Sequence, residues 1–432
     1  MTVTVYSADL VIPITAPSML GGSVAVEDGR IRHVGDRDWV LRSLTDAGVA
    51  FDEVYWPGVL IPGLVNAHTH LQYTRMAELG RGQYDGFEDW ANAFNRIYDD
   101  PARQDWAEAA RDGAEQSIRY GTTCVADVVT DASAATALHD AGMRGVAYWE
   151  VMDWSNEQWR SHGIDAVNAA LDAMPAQPAV GISPHAPYSL EAAPLLDLPD
   201  LARRRGIRLH LHLGESRMEA EWADGRSGML ADLWRSEVAS FRAMRAGGIG
   251  YSATEFVDQL GVLGPDCHVA HGVYMTAEDR RRLRARSTAV ALCLRSNRVI
   301  GLDDPPLTAY LTEGNQLAVG TDSLSSSPSL DVLGELPELF RLARSQGYAN
   351  RDLGRRLLHS ATLGGAIALG LSVGPSRIGQ LQAGAIADMV FLDVPVSEIV
   401  DTIDDVVLHG AGRQVATLIN GEVRWADPRF PR

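Results

Sequence analysis

Eight short apolar runs in the middle of the chain limit its fold more than any other feature. They lie at 64–68, 122–128, 145–151, 179–183, 207–213, 267–271, 289–294 and 317–321. Amphipathic stretches separate most of them, for example 192–205, 277–286 and 330–343. Apolar strands alternating with helices make βα units, which assemble into a parallel sheet. Eight such units predict an α/β fold built on a (β/α)8 TIM barrel with insertions. The longest insertion, 72 to about 119, follows the first strand and is rich in aromatic residues (Tyr73, Tyr84, Phe87, Trp90, Phe94, Tyr98), as a lid or pocket wall would be. A helix is expected over 351–371, carrying the chain back after the last strand.

Both ends read as strands. Val24-Ala25-Val26 runs into a turn ending in Gly29, then Ile31-Arg32-His33-Val34. Near the other end, Val415–Ile419 meets the turn Asn420-Gly421 and then Val423-Arg424-Trp425. Gly-containing turns between apolar runs are hairpin signals. Neither end has enough strands for a stable sheet alone, so one small β unit built from both termini is expected, with the barrel inserted. The divisions are 1–60, 61–374 for the barrel, and 375–432.

Composition narrows the function. The formal charge is −18, which argues against nucleic acid or an anionic membrane as partner. Three cysteines, Cys124, Cys267 and Cys293, are too scattered for a disulfide framework or a CxxC zinc site. The sequence contains no lysine. That removes Schiff-base chemistry, a P-loop lysine, and any metal pair bridged by a carbamylated lysine. No basic region precedes the first apolar stretch, and no apolar run approaches the ~20 residues of a membrane helix. The expected setting is cytoplasmic, with a small-molecule substrate and association into homo-oligomers.

In a barrel the active groups sit at the C-terminal ends of the strands. Here those ends collect histidine. The first gives Asn66-Ala67-His68-Thr69-His70, the fourth Ser183-Pro184-His185, and the fifth His210-Leu211-His212-Leu213-Gly214-Glu215. The sixth ends in His271-Gly272 and the eighth in Thr321-Asp322-Ser323. Residues two apart on a strand face one side, so His68 and His70 can share one metal ion in the barrel mouth. His212, His271 and Asp322 join them from other strand ends. His210 and His212 share a face, and His212 is favoured because it lies nearer the strand end. His210 and His268 read as core residues, while His33, His139, His162, His359 and His409 read as surface or helix residues.

The segment 62–70, Pro-Gly-Leu-Val-Asn-Ala-His-Thr-His, resembles the opening motif of the amidohydrolase superfamily. His212-x-x-Glu215, Ala270-His271 and Gly320-Thr321-Asp322 resemble its later strand ends, and Gly379–Val390 its C-terminal strand pair. The resemblance covers nearly the whole chain and implies a distorted TIM barrel with a composite β-sandwich. Within the family, His212-x-x-Glu215 is similar to the cytosine-deaminase and triazine-hydrolase branch, whose members hold one divalent metal. Carried over, His68, His70, His212 and Asp322 would be ligands, His271 would orient the water, and Glu215 would shuttle the proton. Three neutral imidazoles and a carboxylate suit Zn²⁺ or Fe²⁺.

Substrate contacts are expected at His185, in a Pro-His segment similar to that of nucleoside deaminases, and in Arg295-Ser296-Asn297-Arg298 after the seventh strand. Two arginines at a pocket rim suit a substrate carboxylate. Gln72 could bond a ring edge, and Trp90 with Phe87 could stack on one. The resemblance implies removal of an amino group from a heteroaromatic ring, with an adenine nucleoside such as 6-aminodeoxyfutalosine as first expectation. Adenosine, S-adenosylhomocysteine or guanine deamination, or triazine dechlorination, are the alternatives on the same site. A scaffold without catalysis is disfavoured because every member of the ligand set is present.

Overall fold

The computed structural model describes residues 3–223 and 249–431. Its strands form two sheets. In chain order they are β1 (Val3–Val11), β2 (Met19–Glu27), β3 (Arg30–Asp36), β4 (Phe51–Pro62), β5 (Leu64–Thr69), β6 (Thr122–Val129), β7 (Arg144–Val151) and β8 (Ala179–Pro184). They continue with β9 (Arg208–Leu213), β10 (Cys267–His271), β11 (Ala289–Leu292), β12 (Leu317–Val319), β13 (Met389–Leu392), β14 (Gln414–Ile419) and β15 (Glu422–Ala426).

β5 to β12 make the parallel eight-stranded sheet, each strand beside its sequence neighbour. The sheet curls into a barrel, and side-chain and loop bonds close the seam. The Asp322 amide donates to the His68 carbonyl at 3.0 Å, and the Thr321 amide donates to Asn66 Oδ1 at 3.1 Å. β12 is only three residues long, so the seam depends on these bonds rather than on a ladder.

The other seven strands form one sheet in the order β15-β14-β13-β4-β1-β2-β3, so the two chain ends meet through β13 and β4. Only the β1–β4 pair in it is parallel. Alternation explains its two faces. Val3 and Val5 of β1 pack with Val40 and Leu44 of the helix Arg37–Asp46, whereas Tyr6 and Ala8 join Trp56 and Phe391 on the other side, and a register shift after Ala8 brings Val11 to that side as well.

The helices Ala192–Arg205 and Ala277–Arg286 coincide with the stretches expected from sequence. Two others differ. The stretch 330–343 is a 3₁₀ turn, Val332–Gly334, then the helix Leu336–Ser345, with Pro337 accommodated in its first turn. The expected helix over 351–371 is broken into Leu353–His359, a π turn at Ser360–Gly364, and Gly365–Ala368. The break lets the chain press on the barrel floor. A Cβ at Gly364 would lie 2.2 Å from the Leu317 carbonyl oxygen, and one at Gly365 2.7 Å from Val65 Cβ. No helix among the described residues is long and apolar enough to cross a membrane.

The insertion after β5 forms a 3₁₀ helix (Leu71–Met76) and the helices Phe87–Tyr98 and Trp106–Arg119. Its rings pack on one another: Tyr73 meets Phe94, Tyr98 and Trp106 edge-on, and Trp90 leans on Phe87 and Phe94. This cluster stands over the barrel mouth as one wall of a cavity of about 200 Å³.

Candidate metal centre and active site

His68, His70, His212, His271 and Asp322 converge at the mouth. Ligand atoms of His68, His212 and His271 lie within 4.8 Å of one another, as do those of His68, His70 and Asp322. His70 Nε2 is 3.3 Å from His212 Nε2, and Asp322 Oδ1 is 3.5 Å from His68 Nε2 and 3.7 Å from His70 Nε2.

The outer nitrogen of three rings is already committed, which fixes the inner one. His68 Nδ1 is 3.0 Å from His210 Nε2, His212 Nδ1 is 2.9 Å from the His185 carbonyl oxygen, and His271 Nδ1 is 3.0 Å from Asn297 Oδ1. A carbonyl or amide oxygen can only accept, so His212 and His271 donate from Nδ1 and turn an Nε2 lone pair inward. His210 accepting from His68 gives the same tautomer there. His68 Nε2 and His271 Nε2 are buried and have no hydrogen-bond partner. Burial lowers the pKa of His68 to about 3, and those of His70, His212 and His271 also fall, so the rings are neutral. Burial alone would raise Asp322, yet its carboxyl lies well below the usual carboxylate range, so it stays ionised. Neutral imidazoles with orphaned lone pairs around a carboxylate are a donor set that fits one divalent cation.

Strand ends alone do not aim these groups. His271 and Asp322 both adopt positive φ, at 73° and 59°. Such backbone is uncommon for residues other than glycine and is stored where a structure over-determines it. Asp322 is held by the Ser296 hydroxyl at 2.7 Å and the Ser326 hydroxyl at 2.9 Å, both donating to Oδ2, and by the Ser323 amide at 2.7 Å on Oδ1.

Glu215 lies 3.5 Å from His271 Nε2. Burial raises its carboxyl to about 7, with Asp322 adding to the rise and His212 opposing it. The turn that presents it is built on Glu219. One oxygen of Glu219 accepts from the Gly214 amide and the other from the Glu215 amide, both at 2.9 Å.

The cavity above is lined by Tyr73, Phe87, Trp90 and Phe94 of the insertion, and by Glu150, His185 and Tyr188 from the ends of β7 and β8. His185 is fixed through Nδ1 to Ser189 Oγ at 2.9 Å, and Trp90 Nε1 donates to the Ser325 carbonyl at 2.9 Å.

Other expected substrate contacts need correction. Gln72 is fully buried and exchanges two hydrogen bonds with Thr130, so both ends of its amide are used away from the cavity. Arg295 turns outward to Glu335 at 2.6 Å and to Ser329 and Asp331, because Glu335 is a fully buried carboxylate that needs a cation. Arg298 lies at the surface with Asp304 and Glu338. Neither arginine lines the cavity, so neither is placed to take a substrate carboxylate. Ser296 and Asn297 face inward, but onto Asp322 and His271 rather than into the cavity.

Glu150 was missed by the sequence reading. It is the lone acid in the apolar run of β7 and stands near that strand's C-terminal end, so the strand-end rule applied there would have found it. Burial raises its carboxyl to about 8, with Asp153, Asp322 and Glu215 adding to the rise.

Comparison with known proteins agrees with this architecture. The profile of the amidohydrolase family matches residues 59–424. The 5-methylthioadenosine/S-adenosylhomocysteine deaminase of Moorella thermoacetica is 29% identical over 434 residues, covering 96% of this chain and 92% of that one. Among solved structures, the aminofutalosine deaminase of Helicobacter pylori in complex with methylthio-coformycin superposes with a TM-score of 0.81, at 20% identity, over 97% of this chain and 99% of that one. An adenosine deaminase of Xanthomonas campestris with bound zinc gives 0.78, at 22% identity, over 99% and 94%. At these identities the two structures speak for the fold.

Proposed function

This chain belongs to the amidohydrolase family, and from that premise we propose that it is a metal-dependent aminohydrolase removing the amino group of an adenine nucleoside. The observation that carries this reading is the gathering of four neutral imidazoles and Asp322 at one barrel mouth, in two overlapping triplets that share His68, with Glu215 beside them. The deaminase relatives add the substrate class. The Moorella relative is named for methylthioadenosine and S-adenosylhomocysteine, and the Helicobacter structure for aminofutalosine.

His68, His70, His212 and Asp322 would hold one zinc or iron(II) ion per chain. Such an ion lowers the pKa of water toward ~7, so that hydroxide exists at neutral pH. His271 would orient the attacking oxygen through Nε2. Glu215, with a carboxyl near 7, can take and return a proton at working pH. It would receive the proton of the attacking water and deliver it to the ring nitrogen on which charge builds. Asp322 would assist transfer to the departing amine. The aromatic wall of Phe87, Trp90 and Phe94 offers a face for the purine and keeps water from it.

Ammonia release from adenosine, methylthioadenosine, S-adenosylhomocysteine and 6-aminodeoxyfutalosine tests the reading, with guanine and atrazine as competitors. At least one adenine nucleoside should be deaminated, and Glu215→Gln should lower kcat by about 10²-fold or more with metal content unchanged. Turnover of guanine or atrazine alone would move the enzyme to another activity of the same family. Loss of metal in Glu215→Gln would make that residue a ligand instead.

A further inference from the structure

One buried carboxyl in the cavity has no place in the proton transfers above. Glu150 projects from β7, a strand of the barrel itself, and its side chain is 4% exposed. Its Oε1 has no hydrogen-bond partner. The hydroxyl of Tyr188, which lines the same cavity from the segment after β8, is also buried without a partner. A buried polar atom left unpaired is costly, and most such atoms in native proteins have a partner. Two such atoms in one cavity, one on β7 and one in the segment after β8, point to a ligand that completes them.

Glu150, His185 and His212 also offer ligand atoms within 4.8 Å of one another, but Glu150 stands apart from the nitrogen that His212 turns toward the other histidines. Its Oε1 approaches His212 at Nδ1, 3.9 Å away, and that nitrogen already donates to the His185 carbonyl. The inward lone pair of His212 is on Nε2, at the other side of the ring. Glu150 therefore lines the cavity on the side of His212 away from its inward nitrogen. The aromatic residues that suit the purine come from the insertion after β5, whereas Glu150, His185 and Tyr188 come from β7 and β8, another arc of the mouth. A carboxyl group has two oxygens that can accept, or when protonated accept and donate, enough for two neighbouring hydroxyls.

Resting on the deaminase reading, we propose that Glu150, with Tyr188, anchors the two ring hydroxyls of the substrate's ribose and so selects ribosyl over deoxyribosyl substrates. The binding energy is used away from the reacting carbon, to orient the purine over the metal-facing histidines.

The test takes the adenine nucleoside that the enzyme deaminates fastest, with its 2′-deoxy and 3′-deoxy counterparts. Steady-state kcat/KM is measured for the wild type, Glu150→Gln and Glu150→Ala, each with its metal content determined. Removing a hydroxyl should cost the wild type about tenfold or more for at least one position, within the range for a buried polar group left unpaired. In Glu150→Ala the ribosyl and deoxyribosyl rates should come within about threefold of each other, with Glu150→Gln in between. The ratio is taken within one protein, so partial loss of fold or metal cancels. Equal wild-type rates on all three nucleosides overturn the inference and leave the deaminase reading intact. So does an unchanged ratio in Glu150→Ala, or a lost metal equivalent showing that Glu150 is a ligand. If no adenine nucleoside is deaminated, the functional reading fails and this inference with it.

Discussion

Ser296 and Asn297 hold two groups of the proposed site without lining its cavity. Asp322 has one oxygen turned toward His68 and His70 and the other held by the hydroxyls of Ser296 and Ser326. Asn297 does the same for His271, fixing which nitrogen carries the proton. His210 and Ser183 extend the pattern behind His68, with Ser183 Oγ 3.5 Å from the far nitrogen of His210. Partners of this kind orient a ligand and raise its basicity, and losing one typically weakens metal binding about 10–100-fold. Ser296→Ala removes one hydroxyl and almost no volume. Its affinity for zinc, measured by competition with a chelator, should fall within that range while the denaturation midpoint barely moves. An unchanged affinity would mean that Ser326 holds Asp322 by itself.

At the scale of elements, the strand ends bring the proposed ligands together and the loops between them set the aim. Most of this was legible beforehand. His68 and His70 two apart on one strand, His212 near the end of another, and Asp322 after the last are spacings that a barrel converts into proximity. The outward turn of Arg295 was not legible, because it depends on Glu335, forty residues later and fully buried. Nor was the inward turn of Ser296 and Asn297, since the segment after β11 is a short helix, Leu294–Ile300, whose faces no period of two describes. The role of Glu219 was equally hidden, four residues beyond Glu215 and out of its line. That residue makes the element-scale prediction. Glu219→Ala would strand the Gly214 and Glu215 amides, each buried and each costing about 1–3 kcal/mol when unpaired. Urea unfolding should show a loss of about 2–6 kcal/mol, and kcat should fall at temperatures where the protein is still folded, because the turn that presents Glu215 is released. A stability loss with unchanged kcat would make Glu219 a structural residue only.

The whole molecule raises a different question: what the sheet built from both termini does for a site at the far mouth of the barrel. The two sheets are bolted together at the barrel floor. Arg144, the first residue of β7, donates from Nε to Asp388 Oδ2 at 3.0 Å, and the other oxygen of Asp388 accepts from the Asn420 amide at 2.9 Å. Asp388 immediately precedes β13, so one carboxylate joins the barrel to two connections of the terminal sheet. Its side chain is fully buried, while Arg144 keeps 26% of its side chain exposed. Breaking a buried pair from one side costs ~3–5 kcal/mol, and the exposure of Arg144 favours the lower end. Asp388→Ala should therefore lower unfolding stability by about 3 kcal/mol. The site should be indifferent to it. Glu150 stands six residues up the same strand from Arg144, about 20 Å at ~3.3 Å per residue. Bound metal and kcat/KM should stay within about twofold of the wild type well below the transition. Unfolding followed by tryptophan fluorescence, with activity measured on the same samples, separates the two effects. If activity falls in step with stability even where the protein is fully folded, the terminal sheet reaches the site through the barrel wall and is more than an anchor for the floor.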